Sequence, residues 1–316
     1  MEVFGKDTLQ YGSNLSVEYL SVEIKATPQG FFLSQPVYTE DLLQRWSMAE
    51  CRPIGSLDDV TAESDAEDAE EAEAGEAQTL QSVRQAQRLA GGLNWLATRS
   101  RPDIAFYVSQ LSSAATRNPL RAIALGKRCL RYLAGTRTHG IVLYPMASDG
   151  ASCVGPRELT CHGDASYEEG YAQTGVLIQL GGMTVAWKST KQVQVPRSTA
   201  EAEVTAMAYS GQFLEGVQAL LESIGIRLTM PTLYCDNRVA CYLAQGSNDR
   251  RTKALANRVI GLRSLIEVGK LVILYKPTAE MAADLLTKFM QKGVLQRCRL
   301  LIGCMASPAL QGVKGS

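Results

Sequence analysis

The second half of the chain carries an order of secondary-structure signals that few folds can accommodate. Two apolar runs, Thr174–Leu180 and Met183–Ser189, are separated by a Gly-Gly pair, which is typical of a two-residue β-hairpin turn. A helical periodicity follows from the capping residues Ser198 or Thr199 to about Ile224. Shorter strand and helix signals then alternate. Three antiparallel strands followed by helix-linked strands predict a mixed α/β sheet flanked by helices.

Four acidic residues occupy junctions of these elements. Asp164 lies at the end of the first predicted strand, which begins with Leu159–His162, and Asp236 ends the fourth predicted strand, which begins with Leu233–Cys235. Glu203 lies in the first turns of the long helix, and Asp284 lies in a predicted closing helix, Met281–Met290. Strand ends beside helix starts are where open α/β sheets form their sites, and carboxylates packed together repel one another unless a cation such as Mg²⁺ neutralises them. The joint placement predicts a divalent-metal site, whereas one such acid alone is more often a cap or turn residue.

Charge is distributed unevenly along a chain of zero net charge. The segment 58–76 holds ten Asp or Glu and no Lys or Arg, which predicts a disordered, solvated insert. The segment 84–137 holds ten Lys or Arg against one acid, Asp103. Two helices predicted there, Arg84–Thr98 and Pro119–Ala134, carry bases that can follow a phosphate backbone. An ordinary solvated basic face is the alternative, as is docking of the acidic insert on these helices.

The rest of the sequence supplies the boundaries. The first half opens with a strand, Leu15–Ile24, a turn, a return strand, Phe31–Ser34, and a helix, Pro36–Trp46. A Gly/Ser/Pro-bearing stretch at 147–157 marks a linker between two domains. Eight Cys without CxxC spacing and two His give no pattern of zinc ligands. No secretory signal and no apolar run near 18 residues are evident, so we expect a cytoplasmic or nuclear protein without membrane contact.

Motifs along nearly the whole chain resemble the C-terminal part of copia-type (Pseudoviridae-like) retrotransposon Pol polyproteins, where the end of the reverse transcriptase precedes ribonuclease H. On the polymerase side the matching motifs are Tyr19-Leu20-Ser21-Val22-Glu23, Phe32-Leu33-Ser34-Gln35, Gly92-Leu93-Asn94-Trp95-Leu96, Arg101-Pro102-Asp103-Ile104 and Leu130-Arg131-Tyr132-Leu133. On the ribonuclease side they are Asp164-Ala165-Ser166, Trp187-Lys188-Ser189, Ser198-Thr199-Ala200-Glu201-Ala202-Glu203, Cys235-Asp236-Asn237, Arg251-Thr252-Lys253 and Ala283-Asp284-Leu285-Leu286-Thr287-Lys288. Their order and spacing also fit the family.

The resemblance implies a ribonuclease H-like mixed five-stranded sheet, preceded by a small α+β reverse-transcriptase remnant. The implied domains are a palm/thumb remnant (1–57), the acidic insert (58–78), a basic thumb/connection remnant (79–146), the linker (147–157), ribonuclease H (158–292) and a tail (293–316). The implied activity is endonucleolytic hydrolysis of the RNA strand of RNA–DNA hybrids with Mg²⁺ or Mn²⁺, as two ions and no small-molecule cofactor. The rest of the Pol polyprotein is an implied partner, in a virus-like particle if the element is active.

The resemblance also selects the site residues. Periodicity alone leaves Glu201 and Glu203 equivalent, but the second Glu of the family's Glu-Ala-Glu motif is its metal ligand, which favours Glu203. The implied catalytic and metal-binding residues are Asp164, Glu203, Asp236 and Asp284. We expect nucleic-acid contacts from the basic residues Arg117, Arg121, Lys127, Arg128, Arg131, Lys188, Arg251 and Lys253.

Three departures from the family keep other functions open. The polymerase Asp-Asp signature is absent upstream of Tyr19, so we expect no polymerase activity from this chain alone. Family histidines are replaced by Ala254 and, near it, Ile260, and the acidic insert interrupts the polymerase remnant. A folded but catalytically weak or inactive nucleic-acid-binding remnant is therefore the alternative. An integrase on the same fold is a weaker one, because the Trp187-Lys188-Ser189 and Ala283-Asp284 motifs do not fit it.

Overall fold

Two five-stranded sheets organise the computed structural model, which describes residues 16–27, 30–58, 76–143, 157–168, 170–246 and 259–307. The first unit contains β1 (Ser16–Tyr19), β2 (Val22–Thr27), β3 (Gly30–Ser34), α1 (Pro36–Arg45), α2 (Glu76–Arg99), α3 (Ala105–Ala114), α4 (Pro119–Gly135) and β4 (His139–Leu143). The second unit contains β5 (Leu159–Glu168), β6 (Tyr171–Leu180), β7 (Met183–Lys191), α5 (Thr199–Ser223), β8 (Thr232–Cys235), α6 (Arg238–Ala244), α7 (Ile260–Glu267) and β9 (Val272–Tyr275). The chain then continues through a 3₁₀ helix (Ala282–Leu286), α8 (Lys292–Leu301) and β10 (Cys304–Ala306).

The second unit has the predicted ribonuclease H-like architecture. Its strands lie in the order β7-β6-β5-β8-β9. The three sequential strands β5, β6 and β7 pair antiparallel, whereas β8 and β9 join through parallel pairing. The long helix α5 packs on β5 and β6, with Val204, Met207 and Leu214 in the core between helix and sheet. This mixed sheet places the middle of β5, at Asp164, beside the end of β8.

The first sheet differs from the prediction at its start. A single strand was expected over Leu15–Ile24, but Leu20 and Ser21 take φ values of 50° and 61° and turn the chain into the β1–β2 hairpin. Two consecutive residues of positive φ are the requirement of the turn that suits the twist of paired strands. The prediction failed because neither residue is Gly, Asn or Asp, which take positive φ most readily, although the apolar alternation shifts phase between Tyr19 and Leu20.

The predicted basic helices lie within α2 and α4, while α3 between them was not predicted. Helix α2 begins at Glu76, inside the segment expected as the acidic insert; the rest of that insert, 59–75, lies outside the described residues. The expected linker at 147–157 also lies outside them, apart from Arg157. In the described ranges, every helix is too short or too polar to cross a lipid bilayer.

The C-terminal residues join the first unit instead of forming the expected tail. Strand β10 pairs antiparallel with β4, so the end of the described chain completes the first sheet. Leu295, Cys298 and Ile302 of this segment are buried among the side chains of α2 to α4. The three residues recur at helical spacing, but so short a helix is only marginally stable on its own. Its stability comes from packing against the first unit, and the sequence does not reveal that packing.

The two units share one hydrophobic core. Leu177 of β6 and Leu285, Leu286 and Met290 pack in the same cluster as the helices of the first unit. Hydrogen bonds reinforce the contact, since the Trp187 indole N–H donates to the Ala97 carbonyl oxygen at 2.6 Å. The second unit therefore rests on the helices that precede it.

A buried ion pair lies at the base of these helices. Arg101 donates from Nε and Nη2 to the two carboxylate oxygens of Asp103, at 2.9 and 2.8 Å. Tyr132 of α4 donates its hydroxyl to Asp103 at 2.7 Å, and Arg101 also reaches the Thr136 carbonyl oxygen at 2.9 Å. Burial raises the pKa of Asp103, but the Arg101 charge and these hydrogen bonds outweigh burial and hold that pKa at about 2.

We expect Asp103→Asn to lower the free energy of unfolding by about 3–5 kcal/mol, because it leaves the Arg101 guanidinium buried without a counter-charge. Chemical denaturation of the full chain measures the change. The control is Lys270→Met, which removes the exposed ion pair with Glu215 (3.0 Å) and should cost less than about 1 kcal/mol. Equal, small losses in the two variants would show that the buried pair does not hold the helices together.

Candidate active site

Asp164 lies in the middle of a strand and not at its end. Strand β5 continues to Glu168, and Asp164 faces Gly175 across the β5–β6 pair. A side chain at position 175 would crowd the segment that carries Asp284, because a Cβ there would lie 2.8 Å from the Leu286 Cβ and 3.0 Å from the Ala283 carbonyl oxygen. Gly175 thus allows this segment to approach Asp164 closely.

Glu201 and Glu203 have different environments in the structure. Both are buried, but Glu201 accepts the backbone N–H of Arg197 at 2.7 Å, while its own N–H donates to Ser198 Oγ at 3.2 Å. Glu201 is therefore part of the helix cap. Glu203 lies among the other acids, where its carboxylate accepts a hydrogen bond from the backbone of Ala165 and its Oε2 is buried without a hydrogen-bond partner.

Asp236 immediately follows β8 and remains partly exposed. Its carboxylate accepts the Thr278 hydroxyl at 2.7 Å. Ligand-type atoms of Glu203, Cys235 and Asp236 all lie within 4.8 Å of one another. Among the described residues, these three form the group of potential metal ligands whose atoms lie this close together.

Asp284 reaches the cluster from a 3₁₀ helix, so the predicted closing helix Met281–Met290 is wrong. Residues Ala282–Leu286 form the 3₁₀ turn, and the next α-helix begins only at Lys292. The tighter turn lets Thr287 donate its hydroxyl to Asp164. It also places Lys288 Nζ 2.8 Å from Asp284 Oδ1 and 3.7 Å from Asp164 Oδ2.

Lys288 has no role in the sequence-based prediction, although it ends one of the quoted motifs. Burial lowers the pKa of Lys288, but Asp164 and Asp284 raise it by more, so the side chain is held as an ammonium. It bridges two of the four acids and supplies the cluster with a positive charge. The signal that could have found it is its spacing, one helical turn after Asp284.

The electrostatics of the cluster favour a cation. Burial, followed by the charges of Asp164 and Asp236, raises the pKa of Glu203 to about 9. Burial raises the pKa of Asp164 to about 7; Lys288 lowers it, and Asp284 and Asp236 raise it. Asp164 therefore interacts electrostatically with each of the other three acids. An oxygen-rich donor set, with a buried carboxylate oxygen lacking a partner, suits a hard divalent cation.

Some of the basic residues predicted to contact nucleic acid bind other groups of the chain. Arg128 forms an ion pair with Asp58 at 3.1 Å, and Arg131 donates to the Arg52 carbonyl oxygen at 3.0 Å. Arg117 and Arg121 are exposed and Lys127 is partly exposed. Lys188 is exposed beside the α5 face, with its ammonium 5.7 Å from the Tyr209 ring centre. Arg251 and Lys253 lie outside the described residues.

Comparisons with known proteins identify homologues. Arabidopsis thaliana retrovirus-related Pol polyproteins from transposons RE1 and RE2 are 32% and 31% identical over 299 residues, covering 92% of this chain and 19% of each relative. The Nicotiana tabacum counterpart from transposon TNT 1-94 is 27% identical over 278 residues, covering 88% of this chain and 20% of the relative. The chain spans about a fifth of the length of these relatives. It is thus homologous, over nearly its whole length, to the Pol polyproteins of copia-type transposons.

No family model matches the sequence. Among solved structures, LC11-RNase H1 in complex with RNA/DNA hybrid aligns with a TM-score of 0.33 and 19% identity, covering 41% of this chain and 93% of that one. RNase H1 from Halobacterium salinarum aligns with a TM-score of 0.32 and 18% identity, covering 42% and 94%.

The raised pKa values predict how the metal-free protein responds to pH. Between the ordinary carboxyl pKa values near 4 and the folded values of about 7 and about 9, the native state binds more protons than the unfolded state. Stability from this cluster is therefore lost as pH rises through that window. Without divalent ions, we expect the Tm of Glu203→Gln to increase relative to that of the parent as the pH rises from about 5 to about 9.

The control is Glu222→Gln, an exposed position of the same helix, whose Tm should follow the parent at every pH. A difference between Glu203→Gln and the parent that stays constant with pH would contradict the electrostatic account of the cluster.

Proposed function

We propose that this chain is a metal-dependent ribonuclease H-type hydrolase acting on the RNA strand of RNA–DNA hybrids. The observation that carries the proposal is the convergence of Asp164, Glu203, Asp236 and Asp284 on one cluster, in which three of the four carboxylates are buried. The mixed sheet of the second unit and the homology to retrovirus-related Pol polyproteins support the same activity.

Each acid of the cluster has a position from which it can bind a metal ion. Glu203 and Asp236 offer oxygens on one side of the cluster, and Asp164 and Asp284 on the side where Lys288 lies. Two divalent ions, Mg²⁺ or Mn²⁺, supply when bound an activated water and a charge that stabilises the leaving oxygen of a phosphodiester. Thr287 and Thr278 orient the Asp164 and Asp236 carboxylates by donating hydroxyl hydrogen bonds. Burial of three acids excludes bulk water from the ligands.

The basic surface of the first unit, including Arg117, Arg121 and Lys127, holds the hybrid in this proposal. Phosphate contacts of this kind carry no sequence information, so binding is salt-sensitive and nearly sequence-blind. Discrimination for RNA comes from contacts of the second unit to the 2′-hydroxyl in the wide minor groove. The remaining Pol polyprotein is the proposed partner of the chain, which we place in the cytoplasm, the nucleus or a virus-like particle.

A second candidate function, hybrid binding without turnover, is favoured by a specific observation. Ile260 stands near a family histidine position, at the start of α7, and its side chain is 58% exposed. An apolar side chain there cannot exchange a proton or hold a phosphate as an imidazole can. Ala254, the other substituted position, lies outside the described residues.

We expect Asp236→Asn to reduce hybrid cleavage by at least about a thousandfold, the scale of loss when a member of a catalytic unit is removed. Binding of the hybrid should be unchanged or tighter, because one negative charge is gone. Gel-based cleavage and fluorescence anisotropy with a labelled hybrid measure the two quantities, and anisotropy at increasing salt tests the phosphate contacts.

The matched control is Glu280→Gln, an exposed acid of the neighbouring 3₁₀ turn that carries Thr278, which should cleave like the parent. Hybrid binding by a parent protein that does not cleave would favour the non-catalytic alternative. Equal cleavage by Asp236→Asn and the parent would contradict the site.

A further inference from the structure

Two thiols lie against the carboxylate cluster. Cys235 is the last residue of β8, and Cys241 lies within the short helix α6 that follows. Their side chains interact directly, and both residues are buried, with 1% and 6% of their surfaces exposed. The Cys235 sulfur also accepts the backbone N–H of Asn237 at 3.4 Å. Such an N–H···S contact orients a ligand sulfur and stabilises its thiolate form.

One thiol and two of the acids provide three donors in one place, and a second thiol lies beside them. Cys235 Sγ and carboxylate oxygens of Glu203 and Asp236 lie within 4.8 Å of one another. Cys241 is not part of that group, but its thiol interacts with Cys235, and it would turn toward the ion to become the fourth ligand. With Zn–S bonds of about 2.3 Å, two sulfurs of a tetrahedral site are about 3.8 Å apart, which neighbouring thiols can match. Two sulfurs and two oxygens are four ligands of the types that Zn²⁺ accepts.

Lys288 forms its ion pairs with Asp164 and Asp284, and not with the thiols. Its ammonium contacts Asp284 and Asp164, where the donors are oxygens. Glu203 Oε2 is buried without a hydrogen-bond partner, in a residue that is 6% exposed. Hard ions such as Mg²⁺ select oxygen ligands, whereas thiolates select softer ions.

We propose that Cys235, Cys241, Glu203 and Asp236 form a site for one thiophilic divalent ion, Zn²⁺ or Cd²⁺, which competes with the hard ion for Glu203 and Asp236. On binding, each thiol releases its proton to solvent and forms a sulfur–metal bond, with no change of oxidation state. The site itself is independent of nuclease activity. Its consequence, that micromolar Zn²⁺ inhibits cleavage, rests on the proposed function.

The sequence conceals this site because its ligands have no short spacing. The thiols are six residues apart across a strand–helix junction, and the carboxylates come from α5 and from the end of β8. Only the pairing of β8 beside β5, under α5, brings them together.

The test is a titration of the full-length, metal-free chain with Cd²⁺ in a phosphine reductant, followed by thiolate-to-metal charge-transfer absorption in the ultraviolet. The parent should bind one equivalent tightly, with the absorption of two thiolates. Cys241→Ser should halve that absorption and weaken Cd²⁺ binding by at least about tenfold, since one sulfur ligand is lost. Asp236→Asn should weaken binding but keep the absorption of both thiolates.

The control is Cys129→Ser, a buried thiol of α4 in the first unit, which should titrate like the parent. Thermal melts of each variant show whether it folds, and Asp236→Asn tests the site if Cys241→Ser does not. No charge-transfer absorption in the parent, or equal absorption and affinity in the parent and a folded Cys241→Ser, would overturn the proposal.

Cleavage in Mg²⁺ with and without Zn²⁺ then tests the consequence separately. Inhibition should be at least about tenfold weaker in Cys241→Ser than in the parent, each measured relative to its own zinc-free rate. A parent that binds Cd²⁺ as expected but does not cleave leaves the metal site standing and contradicts only the proposed function. Equal inhibition of the two proteins would show that zinc acts elsewhere.

Discussion

The contact of the segment Ala282–Met290 with both units is the interaction on which the rest of the structure depends. On one side, Leu285, Leu286 and Met290 complete the hydrophobic core of the first unit. Phe289 packs edge-on against Phe106 and Tyr107 of α3, with ring centres 5.0 and 5.5 Å apart. On the other side, the same segment supplies the acid, the hydroxyl and the ammonium that surround Asp164. The geometry of the site is therefore set by packing against the helices of the first unit as much as by the mixed sheet of the second unit.

This arrangement gives the first unit a structural role. The buried Arg101–Asp103 pair and Tyr132 fix the helices on which the segment rests, and Arg299 of α8 donates to the Tyr132 hydroxyl at 3.1 Å. Because β10 then closes the first sheet beside β4, the chain passes from the first unit to the second and returns. Removing either unit would expose core side chains of the other.

The sequence was sufficient to predict the second sheet and the convergence of the four acids, and it was insufficient where distant strand pairing decides the structure. Periodicity identified α5, and the Gly-Gly pair identified the β6–β7 turn, because both are local signals. Asp164 was placed at a strand end because polar residues follow it, yet pairing with β6 extends the strand to Glu168. Glu203 could be separated from Glu201 only by family motif or by structure, since the cap that occupies Glu201 depends on side-chain orientation. Lys288 and β10 acquire their roles entirely from long-range contacts.

The proposed role of the carboxylate cluster is to bind divalent ions that cut RNA paired with DNA. The most direct measurement is a strand-resolved cleavage assay of the purified chain, with either strand of a hybrid end-labelled, across a titration of Mg²⁺ or Mn²⁺. We expect that the RNA strand is cut, that the DNA strand stays intact, and that cleavage disappears when a chelator removes the ions. Cleavage of the RNA strand that persists in excess chelator, or cleavage of both strands alike, would contradict it.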